Sequence, residues 1–309
     1  MIIILILLGL LSLYIIIFQK VDAKLYPQVV SIDQGESFDS ISQKLYTQNV
    51  VRNEFIFKSV AKLFAQDSRI QRGEYTFKKP LNMIELIDKL ANGRFEYTPV
   101  VVTIYEGEDS RFLATQLYTA FKNVAASTTP EALQSILQAK EGYLFPETYN
   151  YPPSATLEDI FKKINTEFVQ RIAKYNIPAN DLTRILTIAS ILEKEVPHPE
   201  DMKVVAGIIN NRLAQGMPLQ MDSTLGYFTG KASLELTTQD LQSTSPYNTY
   251  KVKGLPPAPI GNPGDIAIEA ALNPDKNDYL YFLSDKEGVN HYTKTYAEHL
   301  KNRKLYLGK

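Results

Sequence analysis

The chain has 309 residues, 44% of them hydrophobic, which is enough for two compact domains with cores of their own. Its 33 basic and 34 acidic residues leave a formal net charge of −1, so there is no overall basic field that would hold nucleic acid. The lack of cysteine excludes disulfides, thiolate catalysis and cysteine-ligated metal sites.

The first predicted element is an uncharged apolar run, residues 2–18. As a helix it would be roughly 25 Å long, at the short end for a membrane span. We predict a retained anchor over residues 1–20. The alternative is a cleaved signal peptide, because residues 21–23 (VDA) resemble a cleavage site, although no basic segment precedes the run. The two lysines that follow the run, Lys20 and Lys24, weakly favour a cytoplasmic location for the rest of the chain.

Two later segments, residues 29–46 and 101–118, resemble each other without gaps. Each has the pattern of a short strand, a glycine turn and an amphipathic helix. We expect Ser37 to cap the first of these helices, and Asp109 or Ser110 to cap the second. A further strand and helix lie between the two segments, and Gly93 is predicted to end that helix.

The central part of the chain is predicted to contain helices around an aromatic turn bounded by prolines, residues 142–153. A long helix follows at about residues 181–195, with Asp181 as its N-cap. This helix ends in two acids, Glu193 and Glu195, which project roughly 160° apart. The helix dipole and partial burial both disfavour negative charge there, so a carboxyl in this place should have a raised pKa. Such a group suits general acid catalysis.

Other interpretations of the two acids are open at this point. Both could be solvated and paired with Lys194 or Arg184. Glu195 and His198 have a spacing that metal ligands use, but Pro197 interrupts the helix between them and the chain has only three histidines. We predict no metal and no organic cofactor. A serine triad is disfavoured as well, because no Gly-x-Ser-x-Gly motif occurs.

Two polar segments follow. Residues 204–227 have the pattern of a helix interrupted by Gly216 and continued by a polar loop. Residues 243–264 place aromatic and amide side chains between prolines, including Tyr247, Asn248 and Tyr250. Aromatic rings pack on the apolar faces of sugars, and amides bond sugar hydroxyls, so this loop suits a glycan ligand.

The motifs resemble those of the YceG-like (MltG-type) family of endolytic murein transglycosylases. The resemblance covers the chain from about residue 25 to its end. It is carried, in order, by EGYLFPETY (141–149), ASILEKE (189–195), NRL (211–213), GMPLQMDSTLGY (216–227), SPYNTYKVKGLPPAPIGNPG (245–264) and YLYF (279–282).

This resemblance implies an α+β fold in three parts: a membrane helix (1–20), a small LysM-like α+β domain (25–97) and a mixed α+β catalytic domain (98–309). It implies that the chain is a single-pass protein of the cytoplasmic membrane with its bulk outside that membrane, which outweighs the count of two lysines. The implied partners are the membrane, peptidoglycan glycan strands and, as candidates, peptidoglycan synthases.

The implied activity is cleavage of the bond between N-acetylmuramic acid and N-acetylglucosamine within nascent strands, leaving 1,6-anhydro ends and terminating strand elongation. Glu195 would act first as the acid and then as the base. Because the C6 hydroxyl of the sugar attacks C1, no second carboxylate is needed. The residues implied to bind substrate or shape its groove are Glu147, Gln220, Asp222, Ser223, Tyr247, Asn248 and Tyr250. Two alternatives are a non-catalytic cell-wall scaffold and a hydrolase in which Glu193 or Glu147 activates water.

Overall fold

The computed structural model describes residues 14–15, 17–33, 35–71, 73–94 and 99–308. Most of the predicted membrane anchor, residues 1–20, lies outside them. Among the residues described, no helix is long and apolar enough to span a membrane. The chain is mixed α+β, as predicted, and its described part contains three two-stranded sheets.

The chain divides into two compact units. The first consists of Met1–Val100, Phe121–Asn123 and Asn150–Ala155, and the second of Val101–Ala120, Val124–Tyr149 and Thr156–Lys309. The predicted division into a LysM-like domain and a catalytic domain, at residues 97 and 98, stays a prediction.

The first unit is built around two antiparallel strands, β1 (Gln28–Ile32) and β2 (Gly73–Phe77), with Val30 opposite Tyr75. Buried side chains alternate along both strands, so one face of this sheet is covered. Three helices contribute apolar side chains to the same core: α1 (Phe38–Thr47), α2 (Glu54–Leu63) and α3 (Met83–Ala91).

The predicted caps are present. The Ser37 hydroxyl accepts a hydrogen bond from the backbone N–H of Ser40 at the start of α1. Helix α3 ends at Ala91, two residues before Gly93, whose φ of +60° is the left-handed conformation that ends helices. For the second strand–turn–helix segment, the cap is Asp109, which accepts from the N–H of Arg111 at 3.0 Å.

Two further pairs of strands follow in the chain. Strand β3 (Val100–Ile104) pairs with β4 (Glu147–Tyr151), and β5 (Tyr281–Ser284) runs antiparallel to β6 (Asn290–Thr293). The helices from residue 110 onward are α4 (Ser110–Ala120), α5 (Lys122–Ser127), α6 (Pro130–Gln138), α7 (Leu157–Ala173), α8 (Ala179–Glu195), α9 (Pro199–Ala214), α10 (Asp222–Thr229), α11 (Thr238–Leu241), α12 (Asp265–Leu272) and α13 (Tyr296–Asn302).

Helix α8 forms the centre of the second unit. Every side chain from Ile185 to Leu192 is buried, and this stretch contacts α9, α10 and α12. Burying each leucine or isoleucine there contributes roughly 1.5–3 kcal/mol. Because all sides of the helix are covered, its position in the unit is fixed, and so is the position of the acids at its end.

One predicted boundary and one predicted loop were wrong. Helix α8 begins at Ala179 and not at Asp181, because Pro178 already has a φ suited to a helix start (−56°) and accepts the N–H of Asp181. Asp181 lies in the first turn, where its negative charge still interacts favourably with the helix dipole. The polar loop predicted before Tyr227 contains helix α10, which forms because Thr224, Leu225 and Tyr227 are buried on one side of it.

Candidate active site

Glu195 is the last residue of α8 and is partly buried. Its Oε1 accepts two hydrogen bonds from Ser223 in the first turn of α10, from the hydroxyl at 2.6 Å and from the backbone N–H at 3.2 Å. Burial raises the pKa of Glu195, the Ser223 bonds oppose this, and the negative charge of Asp222 adds to the increase. The net pKa is raised, so the carboxyl holds its proton at higher pH than an exposed glutamate.

Asp222 and Tyr250 lie beside this pair. The carboxylate of Asp222 accepts hydrogen bonds from the Tyr250 hydroxyl and from Ser233. Burial, and then the bond to Asp222, raise the pKa of Tyr250, and the charge of Glu195 acts in the same direction. The structure therefore brings four of the predicted site residues together: Glu195, Asp222, Ser223 and Tyr250.

The loop that carries Tyr250 is bonded to the start of α10 through Thr249. The Thr249 carbonyl accepts the N–H of Gln220 at 2.9 Å, and its hydroxyl accepts the N–H of Met221 at 3.0 Å. Gln220 has a left-handed backbone, with a φ of +54°. Arg212, buried on α9, donates to the carbonyl of Leu219 at 2.7 Å and so holds the same segment against α9.

The two remaining loop residues differ in exposure. Asn248 is fully buried and donates to the carbonyls of Leu241 (3.0 Å) and Ser243 (2.8 Å), so it holds the shape of the loop. Tyr247 packs its ring against Tyr227 of α10, with the ring centres 5.2 Å apart. Asn248 cannot reach a ligand in this structure, whereas Tyr247 is only partly buried.

Glu147 and Glu193 are engaged by partners other than Glu195. Glu147 is exposed at the start of β4 and forms an ion pair with Arg171 at 2.9 Å. Glu193 accepts the N–H of Gly264 at 3.0 Å, and burial raises its pKa. The interpretation of both helix-end acids as solvated partners of Lys194 or Arg184 was therefore wrong.

Metal ligation has no support in the described part of the chain. No three histidine, aspartate or glutamate side chains converge there as metal ligands. His198 is exposed. It lies three residues after Glu195, immediately before the start of α9.

Sequence reasoning missed the residues that attach the proline-framed loop to the rest of the unit. Ser190, buried in α8, accepts the N–H of Ile260 at 3.0 Å. The buried amide of Asn262 accepts the N–H groups of Gly142 (2.9 Å) and Leu144 (3.2 Å). A Cβ on Gly142 would lie 2.4 Å from Pro259, so only glycine fits there. The sequence pattern of neither motif indicates that the two segments meet.

The chain belongs to the YceG-like family, whose model matches residues 30–305. The resemblance seen in the sequence is thus confirmed.

Two named proteins and one crystal structure are similar to this chain over most of its length. The endolytic murein transglycosylase of Bacillus subtilis (strain 168) is 33% identical over 305 residues, which cover 90% of this chain and 84% of that protein. The protein of the same name from Streptococcus pneumoniae serotype 2 (strain D39) is 29% identical; the match covers 88% of this chain and 57% of the pneumococcal protein. A crystal structure of a yceG-like protein from Listeria monocytogenes superposes with a TM-score of 0.58 at 32% identity, covering 90% of this chain and 99% of that one.

Proposed function

We propose that this chain is a lytic transglycosylase that cleaves the bond between N-acetylmuramic acid and N-acetylglucosamine within peptidoglycan strands and leaves 1,6-anhydro ends. Glu195 is its single acid/base. The observation that carries the proposal is the state of Glu195, a partly buried carboxyl with a raised pKa and two hydrogen-bond donors on one oxygen. Family membership and the names of the relatives support the class of reaction.

The reaction uses the carboxyl in both of its protonation states. Neutral Glu195 donates its proton to the bridging glycosidic oxygen as the bond to C1 breaks, and C1 becomes oxocarbenium-like. The resulting carboxylate takes the proton of the C6 hydroxyl, whose oxygen bonds to C1 and closes the anhydro ring. Burial and Asp222 favour the acid before the first step, while the two Ser223 donors stabilise the carboxylate between the steps.

The placement of the other carboxylates supports an internal nucleophile over water. A hydrolase of this kind needs a second carboxyl at a set distance across the scissile bond. The two groups that the sequence offers for this role are engaged elsewhere, Glu193 by Gly264 and Glu147 by Arg171. Asp222 is close enough to influence Glu195, but both of its oxygens accept hydrogen bonds from protein hydroxyls.

The proposal also assigns parts to the rest of the chain. Gln220, Tyr247 and Tyr250 would contact the glycan, Ser223 and Asp222 would orient and tune Glu195, Asn248 would hold the loop and Glu147 would lie at the edge of the groove. Residues 25–97 would form a LysM-like domain, and residues 1–20 would anchor the protein in the cytoplasmic membrane with its bulk outside. Peptidoglycan synthases that make nascent strands are the candidate partners.

Mass spectrometry of cleaved glycan tests the proposal. The full chain would be incubated with uncrosslinked strands and compared with Glu195→Gln and, as the matched control on the same helix turn, Glu193→Gln. We expect ends lighter than hydrolysed ends by one water molecule, with the rate reduced on the order of 10²–10⁴-fold in Glu195→Gln and largely kept in Glu193→Gln. Hydrated ends would indicate a hydrolase instead. Glycan binding without cleavage by folded wild type would favour the non-catalytic scaffold.

A further inference from the structure

Glu141 is a buried acid that the mechanism above does not use. It opens the motif EGYLFPETY, three residues after α6, and only 2% of its surface is exposed. Burying a carboxyl this deeply costs free energy unless hydrogen bonds compensate for the lost contact with water.

Three donors from three parts of the second unit converge on it. Its Oε2 accepts the backbone N–H of Ser110 at 3.1 Å and the hydroxyl of Tyr227 at 3.2 Å, and its Oε1 lies 3.3 Å from the amide nitrogen of Asn262. The Ser110 N–H and the Asn262 amide can only donate, so an ionised Glu141 satisfies all three bonds. A protonated Glu141 has to turn its own hydrogen toward Tyr227, which reverses or breaks that bond.

The Tyr227 bond is the one that leads to the active site. Tyr227 follows Ser223 by four residues in α10, so the two side chains lie on the same face of that helix. Ser223 in turn holds the oxygen of Glu195. The Asn262 bond leads to the same place from the other side, because the loop of Asn262 is attached to α8 by the bond between Ile260 and Ser190.

We propose that Glu141 is a positioning residue for the reaction: its ionised form holds α10, and with it Ser223, in place against the carboxyl of Glu195. This inference rests on the proposed function. It predicts that cleavage depends on a second carboxyl that never touches the glycan.

The charges around Glu141 set the pH at which this control acts. Burial raises its pKa to about 7, two hydrogen bonds from Ser110 oppose the increase, and the charge of Asp109 adds to it. The groups that face it are Asp109 and Arg111 at the start of α4, which pair with each other at 2.5 Å, Tyr227 of α10, and Tyr247 of the neighbouring loop.

Two carboxyls with opposite requirements give a bell-shaped pH profile. Activity should fall as the pH drops below about 7, because Glu141 becomes protonated and releases α10. Activity should also fall at higher pH, as Glu195 loses the proton that it must donate. A single carboxyl that serves as both acid and base would produce only the second, basic limb.

The test is the pH profile of kcat/KM for glycan cleavage by the full chain, measured for the wild type, Glu141→Gln and Tyr227→Phe. We expect Glu141→Gln to lose the acidic limb and keep the basic limb, with a maximal rate lower by roughly threefold to tenfold from the mismatched bond. Tyr227→Phe keeps the ring but removes the bond through which ionised Glu141 holds α10, so its acidic limb should become shallower. The part of the limb that remains, transmitted through Asn262, should move to higher pH because the lost bond lowers the pKa of Glu141. The control Tyr149→Phe loses a buried hydroxyl bond to Phe145 and should leave the acidic limb in place.

Each result is decisive for one of the two claims. An acidic limb that persists in Glu141→Gln, or that does not move in Tyr227→Phe, overturns the role of Glu141 while the proposed function stands. If folded wild type cleaves no glycan at any pH, the proposed function fails and this role fails with it. If Glu141→Gln does not fold, the direction of the Tyr227→Phe shift decides.

Discussion

The segments β1–α1 and β3–α4 have the same local structure but different surroundings. Their strands show the same alternation of buried and exposed residues, and their turns contain Gly35 and Gly107, with φ values of +78° and +73°. The next residue, Glu36 or Glu108, accepts a hydrogen bond from the backbone N–H three residues before it, at 3.1 and 2.9 Å. The sequence likeness of the two segments is therefore a likeness of backbone geometry.

The second segment is connected to the residues around Glu195. A Cβ on Gly35 would meet no atom of the described residues within 4 Å, whereas one on Gly107 would lie 3.2 Å from the Glu193 side chain. The Gly107 N–H also donates to the carbonyl of Asn262 at 2.8 Å. The second segment therefore contacts residues near the site although its backbone conformation is the same as that of the first segment.

The two glutamates show the same contrast in their electrostatics. Burial would raise the pKa of Glu36, but its hydrogen bond with Lys44 at 2.8 Å and two further bonds lower the pKa overall. For Glu108, burial raises the pKa, and the charge of Asp109 adds to this increase. The pKa values of these two equivalent glutamates are therefore shifted in opposite directions, so their contributions to stability change with pH in opposite directions.

The largest expected effect concerns the hydrogen bonds at the starts of the two helices. Helix α1 is capped by its own Ser37, whereas the N–H of Ser110 in α4 is bound by Glu141 from outside the segment. Because the folded state raises the pKa of Glu141 from 4.5 to about 7, folding favours the protonated form. Relative to Glu141→Gln, the wild type should lose up to about 3 kcal/mol of unfolding free energy as the pH rises from 4.5 through 7.

Denaturant unfolding at several pH values measures this difference. Ser37→Ala is the matched control: it should cost about 1 kcal/mol at every pH, because a serine hydroxyl does not titrate in this range. Parallel curves for wild type and Glu141→Gln would contradict the assigned pKa.

An intermediate effect is expected for the two glycines. Alanine at either position must adopt a left-handed backbone, which costs about 1–2 kcal/mol in both variants. Gly107→Ala should in addition displace the Glu193 side chain and lower the rate of glycan cleavage several-fold, since Glu193 lies in the same helix turn as Glu195.

Thermal unfolding and cleavage rates measured side by side separate the two contributions. Gly35→Ala should lose stability and keep its rate. Equal rates in the two variants would show that the contact with Glu193 has no bearing on catalysis.

The smallest effect is expected for the paired glutamates, within about 1 kcal/mol each. The lowered pKa of Glu36 stabilises the fold at pH values above its unfolded value, and this stability is lost as the pH falls through the folded pKa. Glu36→Gln should therefore destabilise the protein at pH 7 and have little effect in acid.

Glu108→Gln should have the opposite sign. The raised pKa of Glu108 means that the wild type loses stability as the pH rises above the unfolded value, so the variant should be more stable than the wild type at pH 7. Unfolding curves at pH 4 and pH 7 measure both variants. The same sign for the two at pH 7 would remove the contrast between the segments.

Local patterns predicted the elements well where neighbouring residues settle the outcome. The caps Ser37 and Asp109, the end of α3 near Gly93 and the acids at the end of α8 depend on bonds within a few residues. The predicted start of α8 was wrong because the helix begins after Pro178 and not at the expected Asp181 cap. The prediction of a loop in place of α10 was wrong because tertiary burial of its apolar side stabilises a helix there. The raised pKa of Glu195 was predicted from helix position and burial, and its direction is confirmed.

The sequence by itself determined the family, through long motifs in a fixed order, and the resemblance to that family implied Glu195 as the acid to test. Only the tertiary structure decided which polar residues meet. It placed Ser223 on Glu195, held Glu193 and Glu147 elsewhere, and buried Asn248 within its loop. It also joined Glu141 to Tyr227 and Asn262, residues 86 and 121 positions away in the chain. Hydrogen bonds over such separations are set by how whole helices pack, and that packing is not written in the spacing of any one segment.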